Sequence, residues 1–132
     1  MDKLQMMMDW LERFFLWGDT QWGVDLNGNV PVSCQLTLED DCIIRRTEDV
    51  LGTTVLTMQI QFSLVRVSYG EEEPGLWADA LANWVYGQSK DGNVPKFGDN
   101  ATQFRLEKGK LVSKGDETVY TVKLIGTYEK FI

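Results

Sequence analysis

Three stretches decide the fold of this 132-residue chain: residues 76–93 (LWADALANWVYGQSKDGN), 101–112 (ATQFRLEKGKLV) and 117–130 (ETVYTVKLIGTYEK). The first carries apolar residues at helical spacing, with Leu81 and Trp84 in the middle of the predicted buried stripe. The other two alternate between apolar and polar residues, which is typical of half-buried strands. They therefore predict a helix followed by a β-hairpin.

Earlier parts of the chain predict three more strands, at residues 32–38, 42–47 and 54–69. Residues 39–41 (Glu-Asp-Asp) indicate a charged turn between the first two strands. The third strand has the longest alternating pattern, so we expect it at the centre of the sheet. Near residue 65 the apolar residues change from one face of this strand to the other, which indicates a β-bulge.

The chain begins with a predicted helix, which Asp2 caps and which Gln5 supports as the partner of a capping box. Gly18 is the expected stop. Met6, Trp10 and Trp17 lie beside the core stripe, so they widen the apolar arc. They indicate either a broader core or a surface that meets another subunit. Trp17 and Trp22 flank a predicted loop at residues 19–31, where exposed aromatic side chains often anchor interfaces.

Together these elements predict a single α+β domain over residues 1–132, in the order α-β-β-β-α-β-β. The sheet is expected to be mostly antiparallel, with two helices packed on one face. A hydrophobic content of 43% suffices for one core, and 11% aromatic residues argue against disorder. No apolar run approaches the roughly 18 residues of a membrane span, and no signal peptide is recognisable. We expect a cytoplasmic protein with no membrane partner.

Charge and composition argue against several functions. The net charge of −7 comes with no basic patch, so we expect no sequence-specific nucleic-acid binding. The chain contains no histidine, which excludes Ser-His-Asp and Cys-His catalysis and the usual zinc ligand sets. We therefore expect no enzymatic activity and no cofactor.

Three features match metal or redox sites only in part. Residues 71–73 (Glu-Glu-Glu) point in different directions, so a helix start explains them better than a metal site. Residues 25–29 (DLNGN) begin like a calcium loop, but the following residues do not continue the pattern and a turn fits better. Cys34 and Cys42 allow a disulfide by their spacing, although two half-buried strand cysteines are the preferred interpretation.

Residues 39–52 combine charges of both signs with apolar residues. Three acids precede Cys42, Ile43 and Ile44, and Arg45 and Arg46 follow before two further acids. This pattern suits pairing between identical subunits, and it also fits an ordinary surface hairpin whose charges keep it soluble. The candidate interface residues are Met6, Trp10, Trp17, Trp22, Ile43, Ile44, Arg45 and Arg46.

Several segments, taken in order, resemble one protein family. They are MDKLQ at the start, Trp10-Leu11, residues 24–26 (VDL) with Pro31, residues 59–62 (QIQF), residues 66–71 (RVSYGE), the helix 76–88 running into residues 92–95 (GNVP), and residues 126–129 (GTYE). Together they resemble the minor capsid or tail-terminator-like proteins of long-tailed (siphovirus-type) phages and prophages of Gram-positive bacteria. The resemblance covers most of the chain and is least evident at residues 32–47.

The resemblance implies a structural virion protein of the phage head-tail region, assembled in the cytoplasm of the bacterial host. It implies a ring-forming tail terminator or a head-tail joining protein, with the tail tube and the head connector as partners. The alternative is a small α+β ligand-binding or enzyme domain using carboxylates such as Asp79 or Glu107. A deep pocket lined by perturbed acids favours that alternative, and an extended interface favours the ring.

Overall fold

A five-stranded sheet carries two helices in the computed structural model, which describes residues 2–14, 21–23, 32–69, 74–100 and 102–132. The elements are α1 (Lys3–Leu11), β1 (Gln21–Gly23), β2 (Val32–Glu48), β3 (Thr54–Tyr69), α2 (Pro74–Asp91), β4 (Gln103–Lys114) and β5 (Glu117–Phe131). The strand order is β1-β2-β3-β5-β4, in which β1 runs parallel to β2 and every other neighbouring pair is antiparallel. The predicted α+β class with a mostly antiparallel sheet is therefore confirmed.

One face of the sheet carries the core. Phe62 of β3 pairs with Leu124 of β5, and Leu64 pairs with Val122, so alternate residues of both strands point to the same side. Both helices cover this face with side chains of the same buried cluster: Met7, Trp10 and Leu11 from α1, and Trp77, Leu81 and Val85 from α2. β3 is the middle strand of the sheet, as its long alternating pattern predicted.

β2 is a single strand of 17 residues, so the predicted turn at residues 39–41 is wrong. The pairing of β2 with β3 shifts between Leu38 and Asp40 and again between Ile43 and Arg45. Each β-bulge absorbs one extra residue without ending the strand. The acidic run therefore marks a bulge in a continuous strand.

Two other predictions on the strands are corrected. β1 lies at residues 21–23, within a segment predicted as loop, and pairs with residues 33–35 of β2. The bulge predicted near residue 65 is absent, because β3 pairs with β5 in unbroken register from Val55 to Tyr69. Arg66 takes an inward position instead, with its guanidinium carbon 5.0 Å from the centre of the Trp77 ring. This cation–π contact helps a charged side chain to lie on the core face.

The first helix starts as predicted and ends earlier than expected. The Asp2 carboxylate accepts the backbone N–H of Gln5 at 2.7 Å, which confirms the N-cap. The Gln5 side chain donates to Asp9 at 2.9 Å and does not return to Asp2, so the capping box is only half formed. α1 ends at Leu11, well before the predicted stop at Gly18; residues 15–20 lie outside the described part of the chain.

The second helix begins at Pro74 and ends at Asp91, as the sequence predicts. Gly92 follows with a φ of 76°, and the Asn93 N–H donates to the Gln88 carbonyl at 2.9 Å. A left-handed residue just after a helix is the usual C-terminal cap. The predicted helix-start acids at residues 71–73 and the loop at residues 25–29 lie outside the described residues.

Cys34 and Cys42 form no disulfide with each other. They stand eight positions apart on β2, which corresponds to roughly 26 Å along an extended strand. A disulfide needs Cα atoms within about 7 Å. The alternative of two strand cysteines therefore applies, with Cys34 buried and Cys42 half-buried.

Candidate functional site

The end of the β2–β3 hairpin, residues 43–54, presents apolar side chains to solvent. Ile43 and Ile44 are 55% and 52% exposed, and Val50 and Leu51 at the turn are almost completely exposed. Ile43 and Ile44 lie on β2, five and four residues before its end at Glu48, and Val50 and Leu51 lie in the turn that follows. Exposed apolar side chains often belong to interaction surfaces, so the hairpin end is a candidate for one.

The turn of this hairpin end is held by its own hydrogen bonds. The Asp49 carboxylate accepts the backbone N–H groups of Leu51 and Thr53, each at 2.9 Å. The Asp49 N–H donates to the Thr53 carbonyl at 3.0 Å, and Gly52 adopts a φ of 84°, which favours glycine. Val50 and Leu51 are therefore presented on an ordered turn.

Two further apolar side chains join the hairpin end from the last strand. Phe131 pairs with Val55, and the Ile132 N–H donates to the Thr54 carbonyl at 2.9 Å. Both Phe131 and Ile132 are more than half exposed. The exposed apolar group thus spans three strand ends, which no sequence pattern revealed.

Four predicted interface residues lie together on this hairpin end. Ile43 and Ile44 stand at the second bulge of β2, and Arg45 and Arg46 follow directly with exposed side chains. Because successive residues of a strand point to opposite faces, the two arginines present a cation on each side of the hairpin.

Of the other predicted interface residues, the structure describes the side chains of Met6 and Trp10. Trp10 is only 3% exposed, so its prediction as a surface residue is wrong. Its indole N–H donates to the Asn93 carbonyl at 2.8 Å, and its ring stacks on Phe104 at 5.2 Å between centroids. Met6 is half-buried. The side chains of Trp17 and Trp22 lie outside the described residues.

Two surface depressions lie at the ends of α1 and α2. One, of about 410 Å³, is lined by Met6, Asp9, Trp10, Arg13 and residues 92–95. The other, of about 390 Å³, is lined by Tyr86, Ser89, Lys90 and residues 103–105.

The carboxylates proposed for the alternative function lie elsewhere. Asp79 forms an exposed ion pair with Lys108, and Glu107 accepts from the Arg105 guanidinium at 3.4 Å, also in solvent. Neither lines either depression. Within the described residues, no group of three or more cysteine, aspartate or glutamate side chains is placed to hold a metal ion.

A polar cluster that sequence reasoning missed fixes α1 to the sheet. The Lys3 ammonium contacts Asp41 and donates to the Tyr128 hydroxyl at 3.0 Å, and that hydroxyl donates to Asp41 at 2.7 Å. Burial lowers the pKa of Lys3, but the hydrogen bonds to Asp41 and Tyr128 outweigh it and raise that pKa overall. Burial also raises the pKa of Tyr128. No local pattern links these three residues, since they are 38 and 87 positions apart.

No protein-family model matches the chain, and no curated protein sequence matches it either. Within the described residues, neither helix is long and apolar enough to cross a membrane.

Proposed function

We propose that this protein is a self-associating structural subunit of the head-tail region of a long-tailed phage. In this proposal it acts as a ring-forming tail terminator or a minor capsid (head-tail joining) protein in the virion and is assembled in the bacterial host cytoplasm. Its partners are other copies of itself, the tail tube and the head connector. The phage role rests on the family resemblance of the sequence, and the assembly role rests on the geometry.

The observation that carries the assembly role is the hairpin end. It combines an ordered turn with exposed Ile43, Ile44, Val50 and Leu51, next to exposed arginines. Apolar residues at the centre and charged residues at the rim are the usual anatomy of a specific protein interface. A ring subunit must present such a surface while it remains folded on its own, and the core beneath both helices does not depend on the hairpin end.

Electron microscopy of the purified chain in negative stain tests this role. We expect rings of uniform diameter in preparations at low salt. The double variant Arg45→Glu with Arg46→Glu should lose rings most strongly at low salt, because rim charges mainly set association rate and salt dependence. Tyr86→Ser is the matched control, since Tyr86 is 70% exposed on α2 and its loss should leave rings intact.

Two outcomes would contradict the proposal. If the unaltered chain gives no rings alone or when mixed with tail tubes, the ring-forming role is wrong. If rings form equally well from the double arginine variant at every salt concentration, the hairpin end is not the contact.

A further inference from the structure

The depression of about 410 Å³ beside α1, which we call the α1 depression, combines apolar walls with charges of both signs. Met6, Val94 and Pro95 line it and are half-buried. Asp9 and Arg13 also line it and are exposed on one side of α1, one turn apart. Neither forms an ion pair among the described residues. The α1 depression therefore offers one carboxylate and one guanidinium to a group from outside the chain.

The hairpin end presents features that complement the α1 depression. Val50 and Leu51, which we call the hairpin tip, are almost completely exposed on an ordered turn. Arg45, Arg46 and Glu48 stand next to this tip with exposed side chains, and they form no ion pair in the described part of the chain. Clefts of roughly 300–1,000 Å³ enclose small ligands, so the α1 depression is large enough for two aliphatic side chains.

The second depression, of about 390 Å³ beside α2, has the wrong charge for this role. Its lining includes Lys90 and Arg105 and, among the described residues, no acid. Like charges that face each other across a contact cost free energy. The two arginines of the hairpin end would therefore be repelled there, whereas Asp9 attracts them at the α1 depression.

The hairpin tip and the α1 depression are too far apart to meet within one chain. Trp10, which lines the depression, stacks on Phe104 of β4, whereas the tip joins β2 and β3. Two strands separate β2 from β4, which corresponds to roughly 14 Å across the sheet. Phe104 also lies level with Gly126 and Ile60, and Ile60 is roughly 20 Å along β3 from its start at Thr54. Both surfaces are therefore available to neighbouring copies.

From these features, and resting on the proposed self-association, we propose that the hairpin tip of one subunit inserts into the α1 depression of the next copy of this chain. Residues 45–46 then lie beside Asp9 of that copy, and Glu48 lies beside its Arg13. The contact has an apolar centre and a charged rim, which is the usual anatomy of a specific interface. Because each subunit uses two different surfaces, the contact is head-to-tail, and such contacts close into a ring when the rotation per subunit allows it.

Mixing two half-disabled chains tests this arrangement. One variant carries Val50→Ser with Leu51→Ser and lacks the tip, and the other carries Asp9→Lys with Asn93→Lys and places cations in the α1 depression. All four side chains are exposed, so folding should be unaffected. In sedimentation velocity each variant alone should behave as a single chain. An equimolar mixture should give a dimer and nothing larger, because one intact tip and one intact depression remain to meet.

Asp116→Lys is the matched control for the change of charge, because Asp116 is exposed in the turn between β4 and β5. This variant should associate like the unaltered chain. If the Asp9→Lys/Asn93→Lys variant also does so while the serine variant does not, the tip binds elsewhere; the inference is then wrong while the proposed function survives. A mixture of the two half-disabled chains that stays monomeric also overturns the inference. If the unaltered chain never associates, both the inference and the proposed function fail.

A charge exchange provides a second, independent readout. Asp9→Arg alone, and Arg45→Glu with Arg46→Glu, should each weaken association of the full chain, since each places like charges across the contact. The chain that combines these three substitutions should recover association, because opposite charges face each other again. If association does not recover, Asp9 does not face residues 45–46 between subunits and the assignment is overturned.

Discussion

The Tyr128 hydroxyl donates a hydrogen bond to Asp41 at 2.7 Å, from β5 across β3 to β2. Lys3 of α1 contacts both groups, so one polar cluster joins the first helix to two strands. Asp41 pairs with Ile60 in the register of β2 and β3 and points to the helix-bearing face. Asp41, one of the three consecutive acids, therefore has a structural role, whereas Glu39 and Asp40 are exposed.

This cluster predicts a loss of stability in alkaline solution. The pKa of Lys3 and the pKa of Tyr128 are both raised in the folded chain. A raised folded pKa contributes stability that is complete below the unfolded pKa, about 10 for both groups, and is lost as the pH rises through the folded pKa. The free energy of unfolding should therefore fall above about pH 10.

The Tyr128→Phe variant tests whether this polar cluster causes the loss of stability at high pH. The variant should lose about 0.5–1.5 kcal/mol at neutral pH, from the hydrogen bond, and should show a shallower fall above about pH 10. Urea denaturation over a pH series measures both effects. Tyr86→Phe, at an exposed position, is the control and should follow the unaltered chain. If the free energy of unfolding falls equally with pH in Tyr128→Phe and in the unaltered chain, the Tyr128 hydroxyl is not the cause.

The tryptophans should differ in their contributions to stability. Trp10→Ala should cost about 3–5 kcal/mol, because the side chain is buried and packs on Trp84 and Phe104. Trp84→Ala should cost less, since Trp84 is only half-buried. Tyr86→Ala should stay within about 0.5 kcal/mol. Urea denaturation measures all three, and an equal loss for Trp10→Ala and Tyr86→Ala would show that the Trp10 packing is wrong.

Gly126 should tolerate no side chain. A Cβ at this position would lie 2.7 Å from the Phe104 ring and 3.0 Å from Ile60, within the core. Gly126→Ala should therefore destabilise the chain by about 1–3 kcal/mol. Gly87→Ala is the matched control on α2, where space is open and alanine should stabilise the helix by about 0.5–1 kcal/mol. If Gly126→Ala and Gly87→Ala change the melting temperature equally, Phe104 does not approach Gly126 this closely.

The Cys42 thiol should react slowly with alkylating reagents. It donates to the Asp40 carboxylate at 3.4 Å, and this hydrogen bond raises the pKa of the thiol. The thiolate is the reactive form, so Asp40→Asn should speed alkylation of Cys42 at pH 8. Cys34 is buried and serves as the internal control, since it should react only after unfolding. A rate unchanged by Asp40→Asn would remove Asp40 as the cause.

The fold class was predictable because its signals are local. The stripe around Leu81 and the alternation in residues 117–130 each occupy one element, so period and spacing identify them. The continuity of β2 was not predictable, since a bulge and a charged turn look alike in a sequence. The inward position of Arg66 depends on the distant Trp77 ring, and no local pattern encodes such a contact.

The candidate site was predictable only in part. Ile43 to Arg46 stood out because apolar and charged residues alternate in blocks, and the structure presents all four at the hairpin end. Helical spacing predicts on which side of α1 the Trp10 side chain lies, but it does not predict what packs against that side. Asn93 and Phe104 cover Trp10, so its prediction as a surface residue was wrong. The contribution of Phe131 depends on strand register, which the sequence does not determine.

The most direct test of assembly through the hairpin end is sedimentation velocity of the purified chain over a concentration series, beside the Ile43→Asp/Ile44→Asp variant. We predict that the unaltered chain sediments as a closed multimer, and that the variant sediments as a single 15.1 kDa chain with an unchanged unfolding transition. If both chains sediment as the same 15.1 kDa species at every concentration, the hairpin end is not an assembly surface.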